Sequence, residues 1–152
     1  MNHWLMKSEP SEFGIDDLKS RPGQTEHWDG VRNYQARNMM RDQMQVGDQA
    51  FFYHSNCEVP GIVGVIRVCS EPYPDFTAFD SRDKHYDPKS DQANPRWFMV
   101  DVQYVKKFKR TIPLAELKAC SALQDMPLVR KGNRLSIMPV TKEQWSLICG
   151  MQ

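Results

Sequence analysis

No apolar run in the chain approaches the roughly 20 residues that cross a bilayer, and Met1 to Pro10 lacks the basic and then apolar stretches of a secretory signal. The expectation is a soluble, cytoplasmic protein with no membrane partner. Charge of one sign is also missing, since 20 Lys and Arg stand against 19 Asp and Glu for a net charge of +1. A uniformly basic surface that coats long nucleic acid is thereby excluded, whereas a local basic patch is not. The four cysteines, Cys57, Cys69, Cys120 and Cys149, show no Cys-x-x-Cys spacing, so free buried thiols are expected in place of zinc or redox sites. His3, His27, His54 and His85 are isolated from one another, and there is no glycine-rich phosphate loop or dinucleotide fingerprint. No metal and no cofactor is therefore expected. No nucleophile elbow surrounds Ser8, Ser55 or Ser136, which leaves catalysis weakly supported. Repeats, low-complexity tracts and interdomain linkers are absent too, and a chain of 152 residues suits one domain, residues 1–152, with a single core.

What is present gathers between Trp28 and Ser55. Asn33 is a good N-cap, with a side-chain oxygen able to accept from free amides of the first helical turn. From Tyr34 to Met44 the spacing of Ala36, Met39, Met40 and Met44 predicts one buried helical face, with Arg37 and Arg41 on another. Gly47 and Asp48 stop the helix. Ala50 to Tyr53 then reads as a strand that delivers His54 and Ser55 at its end. Trp28, Arg32 and Asn33 precede the helix, where residues face any anion held at its N-terminus.

Upstream, Trp4 to Met6 reads as a strand ending in Lys7, Ser8, Glu9 and Pro10. An ordinary loop, with Ser11 capping a short helix near Ile15 and Leu18, explains that polar cluster as well as a site does. Downstream, Gly61 to Val68 reads as a strand with a bulge or close backbone contact at Gly64, paired antiparallel with the strand through Tyr53. Glu71 to Asn94 reads as a long loop, either a functional lid or plain coil. Trp97 to Tyr104 alternates as a strand, and the densest basic cluster follows it, Lys106, Lys107, Lys109 and Arg110. That cluster is either a solvated strand end or a contact for a phosphate backbone. A short helix from Pro113 to Cys120, a strand at Ile137 and Met138, and a final helix capped by Thr141 with Trp145 and Ile148 buried complete the chain. Alternating strands and short helices predict a mixed α/β (α+β), barrel-like domain.

The rings of Trp28, Tyr53 and Tyr73 near the amide and hydroxyls of Asn33, Ser8 and Ser55 suit a planar heterocycle, with a face to stack on and polar groups to read its edge. Several short motifs then occur together: Lys7 to Pro10; Trp28 and Gly30 to Asn33; Gly47 and Asp48; Tyr53 to Ser55; Pro60 to Ile62 and Gly64; Tyr73 to Asp75; Tyr86 to Pro88; Trp97; and Arg134 to Ser136. In this order and spacing the chain resembles the EVE domain family over essentially its whole length, in a form similar to stand-alone bacterial members. The resemblance implies a PUA-like small pseudo-barrel of mixed strands flanked by short helices, related to the YTH readers of methylated adenine in RNA. It also implies a non-catalytic nucleic-acid-binding module whose pocket takes a modified base of DNA or RNA, flipped from its stack.

Carried over position by position, the pocket would be lined by Lys7, Ser8, Glu9, Trp28, Val31, Arg32, Asn33, Tyr53, His54, Ser55, Pro74, Asp75, Arg134, Leu135 and Ser136. Trp28 would stack on the base, Asn33 with Ser8 or Ser55 would read its edge, and Arg32 and Arg134 would neutralise flanking phosphates. Arg37, Lys106, Lys107 and Lys109 are further candidate phosphate contacts. A base methyl would fill a corner near Val31 or Leu135 and contribute roughly 0.8 kcal/mol. Two other readings stand beside this one. Related PUA-like domains include amidohydrolases of modified nucleosides, for which Lys7, Ser8 and Glu9 could supply base and nucleophile; alternatively, the same pocket could sense a free small molecule.

Overall fold

In the computed structural model, which describes residues 1–152, strand β1 (His3–Ser8) lies inside a six-stranded sheet and its apolar residues divide between two cores. Trp4 and Met6 face one core and Leu5 the other, as the pleat dictates. The same split recurs in β3 (Gln49–His54), where Ala50 and Phe52 join Trp4 while Phe51 and Tyr53 join Leu5. Both faces are covered, which is why these strands read as continuous apolar runs. Helices α1 (Ile15–Ser20) and α2 (Tyr34–Asp42) close the first core, and α3 (Leu114–Ala119) and α4 (Lys142–Cys149) close the second.

The sheet order is β2 (Thr25–His27), β7 (Asp101–Pro113), β4 (Gly61–Val68), β3, β1, β8 (Ile137–Val140). β1 runs parallel to β3, with Ser8 opposite His54, and the other pairings are antiparallel. A two-stranded ribbon of β5 (Tyr73–Pro74) and β6 (Phe98–Met99) lies apart. Register shifts in the β3–β4 and β4–β7 pairs bend the sheet into a half-barrel. Gly64 sits between these bulges, and the space its Cβ would need is filled by the Lys106 carbonyl and the Ile15 side chain.

The caps follow from local chemistry. The Asn33 side chain accepts from Ala36 N–H at 2.9 Å, and Thr141 accepts from Gln144 N–H at 3.1 Å while Gln144 returns the bond. Ser11 caps nothing: α1 begins four residues later, and the Gly14 N–H that precedes it donates to the Asp17 carboxylate at 2.7 Å. α2 ends at Asp42, short of Met44, which is buried beyond the helix, while Met39 is only half-buried. Ile148 is buried, but Trp145 is half-buried and stacked on Phe51 at 3.9 Å. The four thiols are free and half-buried, not buried.

The largest difference from expectation is β7, which continues through the basic cluster to Pro113. Beyond Gln103 it pairs only with β4, so its other edge is open. Phe108 and Ile112 turn into the second core while Lys106, Lys107, Lys109 and Arg110 stand exposed along that edge, where charge blocks pairing with another chain. The stretch Glu71 to Asn94 is more ordered than coil. It carries β5, a 3-10 turn at Phe76–Phe79, and Asp87, which accepts from Trp97 Nε1 at 2.6 Å.

Candidate functional site

Parallel pairing puts the ends of β1 and β3 side by side. Ser55 N–H donates to the Ser8 carbonyl at 3.0 Å, and Lys7 N–H donates to the Ser136 carbonyl at 2.9 Å, which brings in the segment before β8. Three distant stretches therefore meet at one rim of a cavity of about 1120 Å3. Of the fifteen expected pocket residues, Lys7, Ser8, Glu9, Trp28, Ser55, Arg134 and Ser136 line it. Trp28 is only 6% exposed, held edge-on by Phe52 at 5.3 Å and Phe13 at 6.5 Å. Its indole is a wall that shows the cavity a small part of its surface.

The other eight expected residues lie outside the lining, and all but Pro74 have a structural task. Val31 and Tyr53 are packed in the two cores, and burial lifts the Tyr53 hydroxyl to about 12. His54 Nε2 accepts from Ile15 N–H at 3.2 Å, so this ring is a neutral acceptor that anchors α1, and burial lowers its pKa. Leu135 packs against the second core, Pro74 is exposed in β5, and Asn33 is occupied as the α2 cap. Arg32 cannot serve a phosphate in this arrangement. Its guanidinium donates to the His85 carbonyl twice, to the Val31 carbonyl, to Asp75 and to Thr77, which uses all five N–H groups.

Asp75 is the centre of that network. Fully buried, it accepts from Gly30 N–H at 2.8 Å, Arg32 Nη1 at 3.0 Å and Thr77 N–H at 2.9 Å. Burial alone would raise its pKa, but the bonds from Thr77, Gly30 and Arg32 outweigh burial and hold the carboxyl below its ordinary value. Among the expected phosphate contacts, Arg37 donates to the Arg96 carbonyl and Asn38, and Lys107 pairs with Asp16 at 2.9 Å. Lys106 and Lys109 lie on the β7 edge, outside the cavity lining.

The opposite wall, apart from Trp28, was missed by sequence reasoning. It comprises Phe13, Glu12, Arg21 and the Glu26 to Gly30 run on one side, and Asp83, Lys84 and His85 from the long loop on the other. The length of that loop was the available signal. His85 is pressed against Gly30, whose φ of +78° and missing Cβ both serve the contact: a Cβ there would come within 2.5 Å of the imidazole. Gly30→Ala is expected to cost at least about 1–2 kcal/mol from backbone strain alone and to push His85 out of the wall. Urea unfolding of the variant against wild type checks it.

The sequence profile of the EVE domain matches residues 2–151. The chain belongs to the EVE domain family. Thymocyte nuclear protein 1 of Danio rerio is 50% identical over 168 aligned residues, covering 99% of this chain and 72% of that protein. A protein from Pseudomonas putida, solved by crystallography, is 50% identical with a TM-score of 0.93, covering 98% of both chains. The human THYN1 protein, solved in complex with DNA containing 5-methylcytosine, is 48% identical with a TM-score of 0.94, covering 99% of this chain and 97% of that one. The mixed α/β pseudo-barrel expected from the EVE resemblance is thus found, as a half-barrel of six strands with four short helices. No helix is long and apolar enough to cross a membrane.

Proposed function

We propose that this chain is a non-catalytic reader of a modified base in DNA, received in the cavity at the ends of β1 and β3. The observation that carries this reading is the state of the cavity's cations. Arg21 pairs with Glu26 and Lys84 with Glu12, whereas Lys7 and Arg134 face the cavity with no carboxylate partner. Lys7 is half-buried over the Tyr53 ring at 5.6 Å, and burial lowers its pKa. Two unspent cations beside strand-end hydroxyls suit the phosphates that flank an extruded nucleotide. A volume of about 1120 Å3 exceeds the roughly 300–1,000 Å3 usual for small-molecule pockets, which leaves room for sugar and phosphate beside the base. The human relative's complex makes 5-methylcytosine the first base to test.

Fluorescence anisotropy on duplexes carrying one 5-methylcytosine or one cytosine, at several salt concentrations, tests the reading. The methylated duplex is expected to bind about four-fold tighter, the value of one buried methyl. Lys7→Ala and Arg134→Ala are each expected to weaken both duplexes and to reduce the salt slope by about one. Equal affinity for the two duplexes would reject the proposal. RNA carrying the same base is a second arm of the assay, and the cytoplasm is proposed as the setting on sequence grounds.

The amidohydrolase reading draws on the lowered Lys7 pKa. Against it, the Ser8 hydroxyl donates to the Phe13 carbonyl at 2.7 Å, so its proton points away from any base. Chromatography of acylated cytidine after incubation with the protein separates the two, since a reader returns the substrate intact.

A further inference from the structure

A pocket that accommodates the methyl of 5-methylcytosine has a difficulty built into the chemistry. Thymine carries the same 5-methyl group, and the two bases differ at the edge that bears a 4-amino group in one and a 4-oxo group in the other. An apolar corner is blind to that difference. Only a hydrogen-bonding side chain at that edge distinguishes them, and a carboxylate does so by accepting from the amine and repelling the carbonyl oxygen.

Five acidic side chains line the cavity, and four are already engaged. Glu9 accepts from Asn56 Nδ2 at 2.9 Å, Glu12 pairs with Lys84, Glu26 accepts from Arg21 at 2.8 Å, and Asp83 accepts from His85 N–H at 2.8 Å. Asp29 accepts from no donor within hydrogen-bond distance. Its closest cation-capable atoms are His27 Nε2 at 3.8 Å and His85 Nδ1 at 3.9 Å, which flank the carboxylate without bonding it. The His85 atom is itself buried without a partner. Asp29 follows Trp28 directly, its side chain is 32% exposed, and burial raises its pKa, as a carboxylate short of donors requires.

Resting on the reading of the cavity as a base pocket, we infer that Asp29 accepts from the 4-amino group of a cytosine-class base and turns thymine away. The cavity then has its unspent cations for the phosphates and its one unspent anion for the base edge. Tight binding of an amine at Asp29 also supplies the donor that the free protein lacks.

The test is a double-mutant cycle on the base and the protein. Wild type and Asp29→Ala are titrated with duplexes that carry, opposite guanine, 5-methylcytosine, thymine, or 5-methyl-2-pyrimidinone, which lacks only the 4-amino group. Wild type is expected to lose about ten-fold on removal of the amino group, the scale of one base-edge contact, and to disfavour thymine at least as strongly. In Asp29→Ala the amino group is expected to matter less than two-fold, and Asp29→Asn, which can present an N–H, is expected to bring thymine to within two- or three-fold of 5-methylcytosine. Unchanged discrimination in folded Asp29→Ala, judged by its thermal transition, overturns the inference and leaves the reader function standing. Wild type that fails to distinguish methylated from unmethylated duplex overturns the function itself, and that result is visible before any Asp29 variant is made.

Discussion

Asp75→Ala is expected to lower the unfolding free energy by about 3–5 kcal/mol, the cost of leaving a buried charge without its partner. The magnitude follows from what the carboxylate holds. It is fully buried, and without it Arg32 keeps its cation among Val31, Thr77 and the His85 carbonyl with no counter-charge, while Gly30 N–H and Thr77 N–H lose their acceptor. The damage reaches the cavity because Gly30 and His85 form part of its lining. Urea unfolding measures the loss, and a cost below about 1 kcal/mol would mean that Arg32 relaxes into water. The sign of the pH dependence is fixed too. The folded carboxyl sits below its ordinary value, so its contribution is complete above the unfolded pKa near 4 and is lost as pH falls through the folded value. Asp75→Asn should therefore flatten the acid limb of the stability profile.

Trp28→Ala carries a comparable cost, about 3–5 kcal/mol for a large-to-small change in a packed core. As an open stacking platform the residue would be removable without harm to the fold, and sequence reasoning gives it that role. At 6% exposure, wedged between Phe13 and Phe52, it is instead a structural wall. Lost binding in Trp28→Ala thus mixes unfolding with lost contact. Trp28→Phe separates them: it retains an aromatic edge for Phe52, is expected to cost less than half as much stability, and reports the indole's own share of affinity. Thermal unfolding followed by titration at a temperature where both proteins are folded is the check.

What could be read from the sequence was local. Asn33 and Thr141 cap their helices because a short oxygen beside free amides suffices, and the β3–β4 hairpin needs only a turn between two apolar runs. Lys7, Ser8 and Ser55 were grouped through family motifs, and the structure places them on one rim, although the cause is the parallel β1–β3 register that no local pattern reveals. Arg32 shows the opposite case. An arginine ahead of a helix reads as a phosphate ligand, but its partners Asp75, Thr77 and His85 lie far along the chain, and only folding discloses that its donors are spent. The β7 lysines misled for a related reason: charge marked an open strand edge, which in sequence looks like the end of a strand.

The place of β1 between β3 and the edge strand β8 also governs the order of events during synthesis. Along the chain β1 is made well before its antiparallel neighbour β8, with His3 opposite Val140 and Met6 opposite Ile137. While the ribosome is still adding residues before Ile137, Trp4, Leu5 and Met6 can join β3 but keep a bare row of amides and carbonyls on the other side. Contacts this remote close slowly. A nascent or truncated chain that stops short of β8 therefore presents a sticky hydrophobic ribbon, and β8 is the latch that covers it.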